Sequence, residues 1–171
     1  MKPARLPENT TARRLLQDRL KGLSVKFPSG SASSATAAKV SGKWFEFGDN
    51  DRGIKALSFD FNGSSRVLNV RTSSGESRLL IGSGTWASGR GGFTNGVDRF
   101  LSVPANPLVA ASGAWSTENT FTIKIVLPET PYYTTLDFKF EGDRVVVDAE
   151  HSVSFGPTKL PQLVGQAHIT E

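Results

Sequence analysis

Residues Ala111 to Phe155 constrain the fold more than any other stretch, because they alternate between apolar and polar residues with a period of two. Phe121, Ile123, Ile125 and Leu127 share one parity, and Thr120, Thr122 and Lys124 occupy the other. This is the pattern of a strand with one face in a core and one in water. Leu136, Phe138 and Phe140 against Asp137, Lys139 and Glu141 repeat it. After a turn at Gly142-Asp143, Val145, Val147 and Ala149 alternate with Arg144, Asp148 and Glu150. With Ala111 to Trp115 as the first member, closed by the polar turn Ser116 to Asn119, the block predicts a meander of four antiparallel strands with one apolar face.

The remainder of the body follows the same rhythm. Val40 to Phe47 reads as a first strand, and Leu57, Phe59 and Phe61 alternate with Ser58 and Asp60. A turn at Asn62-Gly63 returns the chain through Arg66 to Arg71, and Ser73-Ser74-Gly75 opens a second hairpin into Ser77 to Ile81. Gly82 to Gly96 breaks the pattern with six glycines in fifteen residues and reads as a long, mobile connection. Its Gly89-Arg90-Gly91-Gly92 lacks the Gly-Lys-Ser/Thr ending and the following helix that a phosphate-cradling loop needs. Asp98 to Val103 and Leu108 to Ala110 then lead into the four-strand block. No helical period recurs after Gly22, so the body is expected to be all-β, an antiparallel barrel of about eight to ten strands.

Ahead of this body stand two segments of different character. Asn9 or Thr10 can cap a helix with Ala12, Leu15, Leu16, Leu20 and Leu23 as its apolar positions and Gly22 as its stop. A helix of about a dozen residues is marginal alone in water. Its stripe is therefore expected either to pack on the barrel or to dock on a neighbouring domain. Residues 29–39 are nearly all serine, alanine, glycine and threonine, the composition of a flexible linker. The expected organisation is a connector over 1–28, a linker over 29–39 and a barrel over 40–168, with residues 1–39 dispensable to the fold.

Composition excludes several classes of function. The 171 residues, 37% hydrophobic, suffice for one ordinary domain with a core. There is no cysteine, hence no disulfide framework, thiolate metal site or thiol nucleophile. Apolar runs are only strand-length and no signal-peptide pattern opens the chain, so a soluble protein without a membrane partner is expected. The net charge of +4 is located in the leader: residues 1–26 hold seven Lys or Arg against two acids, and residues 27–171 thirteen against fourteen. A nucleic-acid module should carry that charge on its folded surface, so no nucleic-acid partner is expected.

Chemistry-bearing residues are few. His151 shares the inward parity of Val145, Val147 and Ala149, whereas Asp148 and Glu150 have the opposite parity, which argues against a metal site there. His168 lies in a terminal tail. Glu129, between Pro128 and Pro131, is read as part of a stiff turn or as the mouth of a pocket. All three tryptophans follow a glycine by two residues, in Gly42-Lys43-Trp44, Gly84-Thr85-Trp86 and Gly113-Ala114-Trp115. Glycine at that offset leaves room for an indole on the same strand face, and the first copy resembles the Gly-x-Trp of lipocalin-type barrels.

Leu6-Pro7-Glu8, Leu16-Gln17-Asp18-Arg19-Leu20, Ser112-Gly113-Ala114-Trp115 and Glu129-Thr130-Pro131 carry a wider resemblance. So do Phe138 to Arg144, Phe155 to Lys159 and Pro161 to Gly165. Together they resemble the C-terminal, lipocalin-like accessory domain that follows the catalytic domain in bacterial serine hydrolases of the β-lactamase and penicillin-binding-protein type. The resemblance implies that the leader helix connects the two domains and that Met1 opens an excised fragment. That family's catalytic signatures, Ser-x-x-Lys, Tyr-x-Asn and Lys-Thr-Gly, are absent from this sequence. The nearest approach is Thr36-Ala37-Ala38-Lys39, within the expected linker.

The expected function is therefore a non-catalytic accessory module that stabilises or gates a hydrolase domain or mediates assembly, with no cofactor, no metal and no catalytic residue of its own. Leu15, Leu16, Leu20 and Arg90 are its expected domain contacts. The alternative is a barrel that binds a small apolar ligand or a substrate near Trp44, Phe121, Phe138 and His151.

Overall fold

The computed structural model describes residues 9–62, 66–91, 93 and 106–167. His168, the strand expected at Asp98 to Val103, Gly63 of the expected turn and the Leu6-Pro7-Glu8 motif lie outside the described residues. The described chain forms helices α1 (Thr10–Lys21) and α2 (Ala35–Val40) and strands β1 (Trp44–Phe47), β2 (Ile54–Asp60), β3 (Arg66–Thr72), β4 (Gly75–Ile81) and β5 (Ala87–Arg90). The second half contributes β6 (Leu108–Trp115), β7 (Thr120–Val126), β8 (Tyr133–Glu141), β9 (Arg144–His151) and β10 (Leu163–Ala167).

All ten strands belong to one sheet in the order β4-β3-β2-β1-β10-β9-β8-β7-β6-β5, and each neighbouring pair is antiparallel. The architecture is thus the expected lipocalin-like antiparallel barrel. Two meanders are joined where the first strand pairs with the last, Phe45 opposite Ala167. The sheet edges β4 and β5, consecutive in the chain, curl back to face each other. At one end the ring is closed by Gly82, whose N–H donates to Ala111 O (3.1 Å) and whose carbonyl accepts from Gly113 N (2.9 Å).

Parity decides which side chains fill the interior. Phe121, Ile123 and Ile125 of β7 and Leu136, Phe138 and Phe140 of β8 are buried, as are Val145, Val147 and Ala149 of β9. Two glycines make room for rings: a Cβ on Gly113 would lie 2.6 Å from Phe121, and one on Gly165 would lie 2.8 Å from Phe47.

Three expectations are corrected. The Ser/Ala stretch is not a flexible linker, because part of it forms α2. Ser34 caps that helix by accepting from Thr36 N (3.1 Å), and Thr36 and Val40 are buried. The segment is tied to the barrel at several points: Ser31 exchanges two backbone bonds of 2.9 Å with Trp115, Ser34 Oγ donates to Glu118 O, and Thr36 Oγ1 donates to Asn119 Oδ1 (2.9 Å). Small residues bury little area, but here they let backbone and hydroxyls approach the 116–119 turn closely. Consequently Val40 ends a helix, and the first strand begins only at Trp44. The glycine-rich connection likewise contains β5, whose Ala-Ser-Gly-Arg has little intrinsic strand preference and is held by pairing with β6.

Helix α1 forms where expected. Asn9 Oδ1 accepts from Ala12 N (2.9 Å), and Gly22 N bonds back to Asp18 O and Arg19 O. None of its residues is buried.

Candidate functional site

The barrel interior and the leucine stripe are the two regions the sequence singles out. The interior is built around Phe59, whose ring meets Phe121, Phe138 and Phe140 edge-on at centroid distances of 5.7, 4.9 and 5.9 Å. Phe61 and Trp115 extend this layer, each about 5 Å from the Phe121 ring (5.0 and 5.2 Å). Such edge-to-face arrangements are favourable beyond the area they bury. The twenty-five core side chains are each at most 9% exposed, so the described interior is a packed core. Trp115 Nε1 is buried within it without a hydrogen-bond partner.

Of the four residues expected to line a ligand site, the structure brings two together. Phe121 and Phe138 are direct cross-strand partners. His151 lies on the same inner face but four residues beyond Val147, the partner of Phe138, which is about 13 Å along the strand. Trp44 is corrected to the outer face. Phe45 and Phe47 take the inward positions of β1, while Trp44 shares its parity with the exposed Glu46. The guanidinium of Arg71 covers its indole, 3.8 Å from the ring centroid. The charge of Glu46 was the available signal, since it obliges its own parity to face water.

His151 faces Thr134 at the end of the barrel away from the aromatic layer, with Nδ1 2.8 Å from the Thr134 hydroxyl. Burial, and then the nearby Arg52 guanidinium, lower its pKa from the ordinary value, so the imidazole is neutral at neutral pH. Arg52 donates to Pro161 O (2.7 Å); burial pushes its own pKa down and Asp148 opposes that. Thr134 has the parity of Leu136 and was legible as an inward hydroxyl, whereas nothing in the sequence placed Arg52 here. Among the described residues no three His, Asp or Glu side chains are grouped to hold a metal ion.

Thr36 and Lys39 occupy one face of α2 rather than a linker, yet the Thr36 hydroxyl donates to Asn119 and Lys39 is exposed. That threonine anchors a helix to a turn. Glu129 sits in the turn where Thr130 N donates to Leu127 O (2.8 Å), and its carboxylate lies 4.0 Å from Arg90. Both partners are half exposed or more, so the pair contributes little.

The leucine stripe is fully laid out on α1. Leu15, Leu16 and Leu20 are 66, 58 and 55% exposed, and Leu23 just beyond is 71% exposed. After α1 the chain meets the barrel at Lys26, whose carbonyl accepts from Lys124 Nζ (2.9 Å), and at Phe27, whose ring lies 5.1 Å from that of Trp86. Arg90, the fourth expected contact, is exposed on β5, well apart in sequence from the helix. Among the described residues no helix is long and apolar enough to cross a membrane.

No protein-family model and no curated protein matches the sequence. Among solved structures, the chain is similar to the fatty-acid-binding protein isolated from Manduca sexta, with a TM-score of 0.48 and 16% sequence identity over 75% of this chain and 97% of that one.

Proposed function

We propose that this chain is a non-catalytic accessory module that works by docking, and that its partner is the catalytic domain of a serine hydrolase of the β-lactamase and penicillin-binding-protein type. There it would stabilise or gate the catalytic domain or mediate assembly. The observation that carries docking is α1, a capped helix whose leucines are all more than half exposed. Burying a leucine side chain contributes about 1.5–3 kcal/mol, so the stripe holds a large stabilisation that the barrel leaves unused. The packed interior supports the same class, because a filled core leaves the outer surface for work. The class of partner rests on the sequence resemblance alone.

Sedimentation of the chain with a recombinant catalytic domain of that class tests this. A complex that is lost when Leu15, Leu16 and Leu20 are all replaced by serine is the expected result. No complex, or a homodimer of this chain that the same substitutions dissolve, would assign the stripe elsewhere.

One observation favours a second reading, binding of a small apolar ligand. His151 and Thr134 place hydrogen-bonding groups at one end of an otherwise apolar interior, where a ligand's polar head would need them. Such a ligand would have to displace packed side chains. Tryptophan fluorescence titrated with fatty acids and retinoids separates the readings: a flat response leaves docking, and saturable binding lost in Thr134→Val supports the ligand.

A further inference from the structure

The leucine face of α1 has a cation at its centre. Arg19 stands four residues after Leu15, three after Leu16 and four before Leu23. On a helix it therefore projects between Leu15 on one side and Leu16 and Leu20 on the other, within the exposed stripe. Arg14 and Lys21 share the opposite side. Asp18, the one acid of α1, is adjacent to Arg19 in sequence and so leaves the helix in another direction. Arg19 is exposed, and among the described residues no acid pairs with it. A cation in the last turn suits the helix dipole, but Lys21 already serves there without interrupting the stripe.

That position tells against two ways of covering the leucines. An interfacial helix on a membrane keeps its cations on the polar side, whereas here Arg19 would be carried into the acyl region with the leucines around it. Two copies of α1 packed together fare no better. A parallel pair sets each residue against itself, and an antiparallel pair centred on the stripe does so for its middle residue. Arg19 lies midway between Leu15 and Leu23, so in both arrangements one guanidinium is buried against another.

A groove in a different protein can supply the missing charge. A guanidinium enclosed by apolar side chains needs an anion with hydrogen-bonding geometry, and a carboxylate matches its planar fork. We propose that α1 lies in an apolar groove of its protein partner, with a partner carboxylate at the centre of the groove bonded to Arg19. Arg19 is then the specificity-determining residue of the contact. This rests on the docking of α1 to a hydrolase catalytic domain and adds what the receiving surface contains.

Sedimentation of the full chain with that recombinant catalytic domain, repeated with variants at this position, is the test. Arg19→Leu makes the stripe continuous, so apolar docking alone predicts tighter binding. A groove carboxylate left without its partner predicts binding weaker by about a hundredfold or more. Arg19→Gln should weaken the complex similarly and Arg19→Lys less. Arg14→Gln, on the opposite side, should change it by no more than about twofold. If Arg19→Leu self-associates, Arg19→Gln decides alone. Undiminished binding of Arg19→Gln, or equal weakening by Arg14→Gln, would overturn the pairing and leave the docking of α1 standing. So would a loss of helix content in isolated Arg19→Gln, measured by circular dichroism, that accounts for its weaker binding. Absence of any complex would remove docking and pairing together. Binding of the chain to vesicles of phosphatidylglycerol and phosphatidylcholine, strengthened by Arg19→Leu, would assign the stripe to lipid and overturn the proposal.

Discussion

The two helices behave opposite to their compositions. Helix α1 carries a stripe of leucines over twelve residues and buries none of them, while α2 is six residues of mostly alanine and threonine and buries Thr36 and Val40. What differs is how each is tied. Helix α2 is bracketed by Ser31 on Trp115 and by Ser34 and Thr36 on the 116–119 turn. Helix α1 is separated from the ties of the following chain to the barrel, Lys26 on Lys124 and Phe27 on Trp86, by the stretch from Gly22 onward. Hydrophobic surface stabilises an element only when the chain delivers it to a matching surface. A few short hydrogen-bonding residues can deliver a helix of small side chains better than four leucines can deliver theirs.

Truncation should give the largest contrast. A chain beginning at Lys39 loses every one of those ties and exposes Trp115, so a loss of about 4 kcal/mol or more is expected in urea unfolding, whereas a chain beginning at Leu23 should unfold as the full chain does. Equal midpoints for the two truncated chains would break the comparison. Gly30→Ala comes next: its φ is +147° and a Cβ would lie 2.1 Å from the Trp115 carbonyl oxygen, so about 2–4 kcal/mol should be lost.

Val40→Ala should cost about 2 kcal/mol through the cavity it leaves under α2. By contrast, replacing Leu15, Leu16 and Leu20 together with serine should move the stability of the isolated chain by only about 0.5 kcal/mol. A large loss in that triple variant would mean that the stripe is already packed in the isolated chain.

The smallest effect is a pH dependence confined to the barrel. His151 binds its proton less readily in the folded state than at its ordinary pKa of 6.5. Below that value the unfolded chain takes up the proton first, so the contribution is complete above about pH 6.5 and is lost as pH falls. Unfolding midpoints measured from pH 7.5 to pH 5 should decline less in His151→Asn, and identical slopes would remove His151 as the cause.

Within the body, alternation was enough to assign the strands from β7 to β9 with their inner faces, because a half-buried strand must separate its residues by parity. It was not enough where the pattern is short or absent. In β1, the conspicuous tryptophan drew attention from the two phenylalanines beside it, and the charge on Glu46 was the better guide to which face is which. In β5, four small and polar residues give no period at all, and only the free edge of β6 makes them a strand.

The sequence by itself therefore determined the all-β class, the meander and the capped leader helix, all consequences of periods and caps that act over a few residues. Tertiary structure alone decided that part of the Ser/Ala stretch is a docked helix, that the Arg52 guanidinium comes near enough to lower the pKa of His151, that the ring is bonded at Gly82, and which leucines are left uncovered. Those outcomes depend on contacts between residues as far apart as Thr36 and Asn119. No local pattern encodes such contacts, because the closeness that makes them favourable exists only once the barrel has curled.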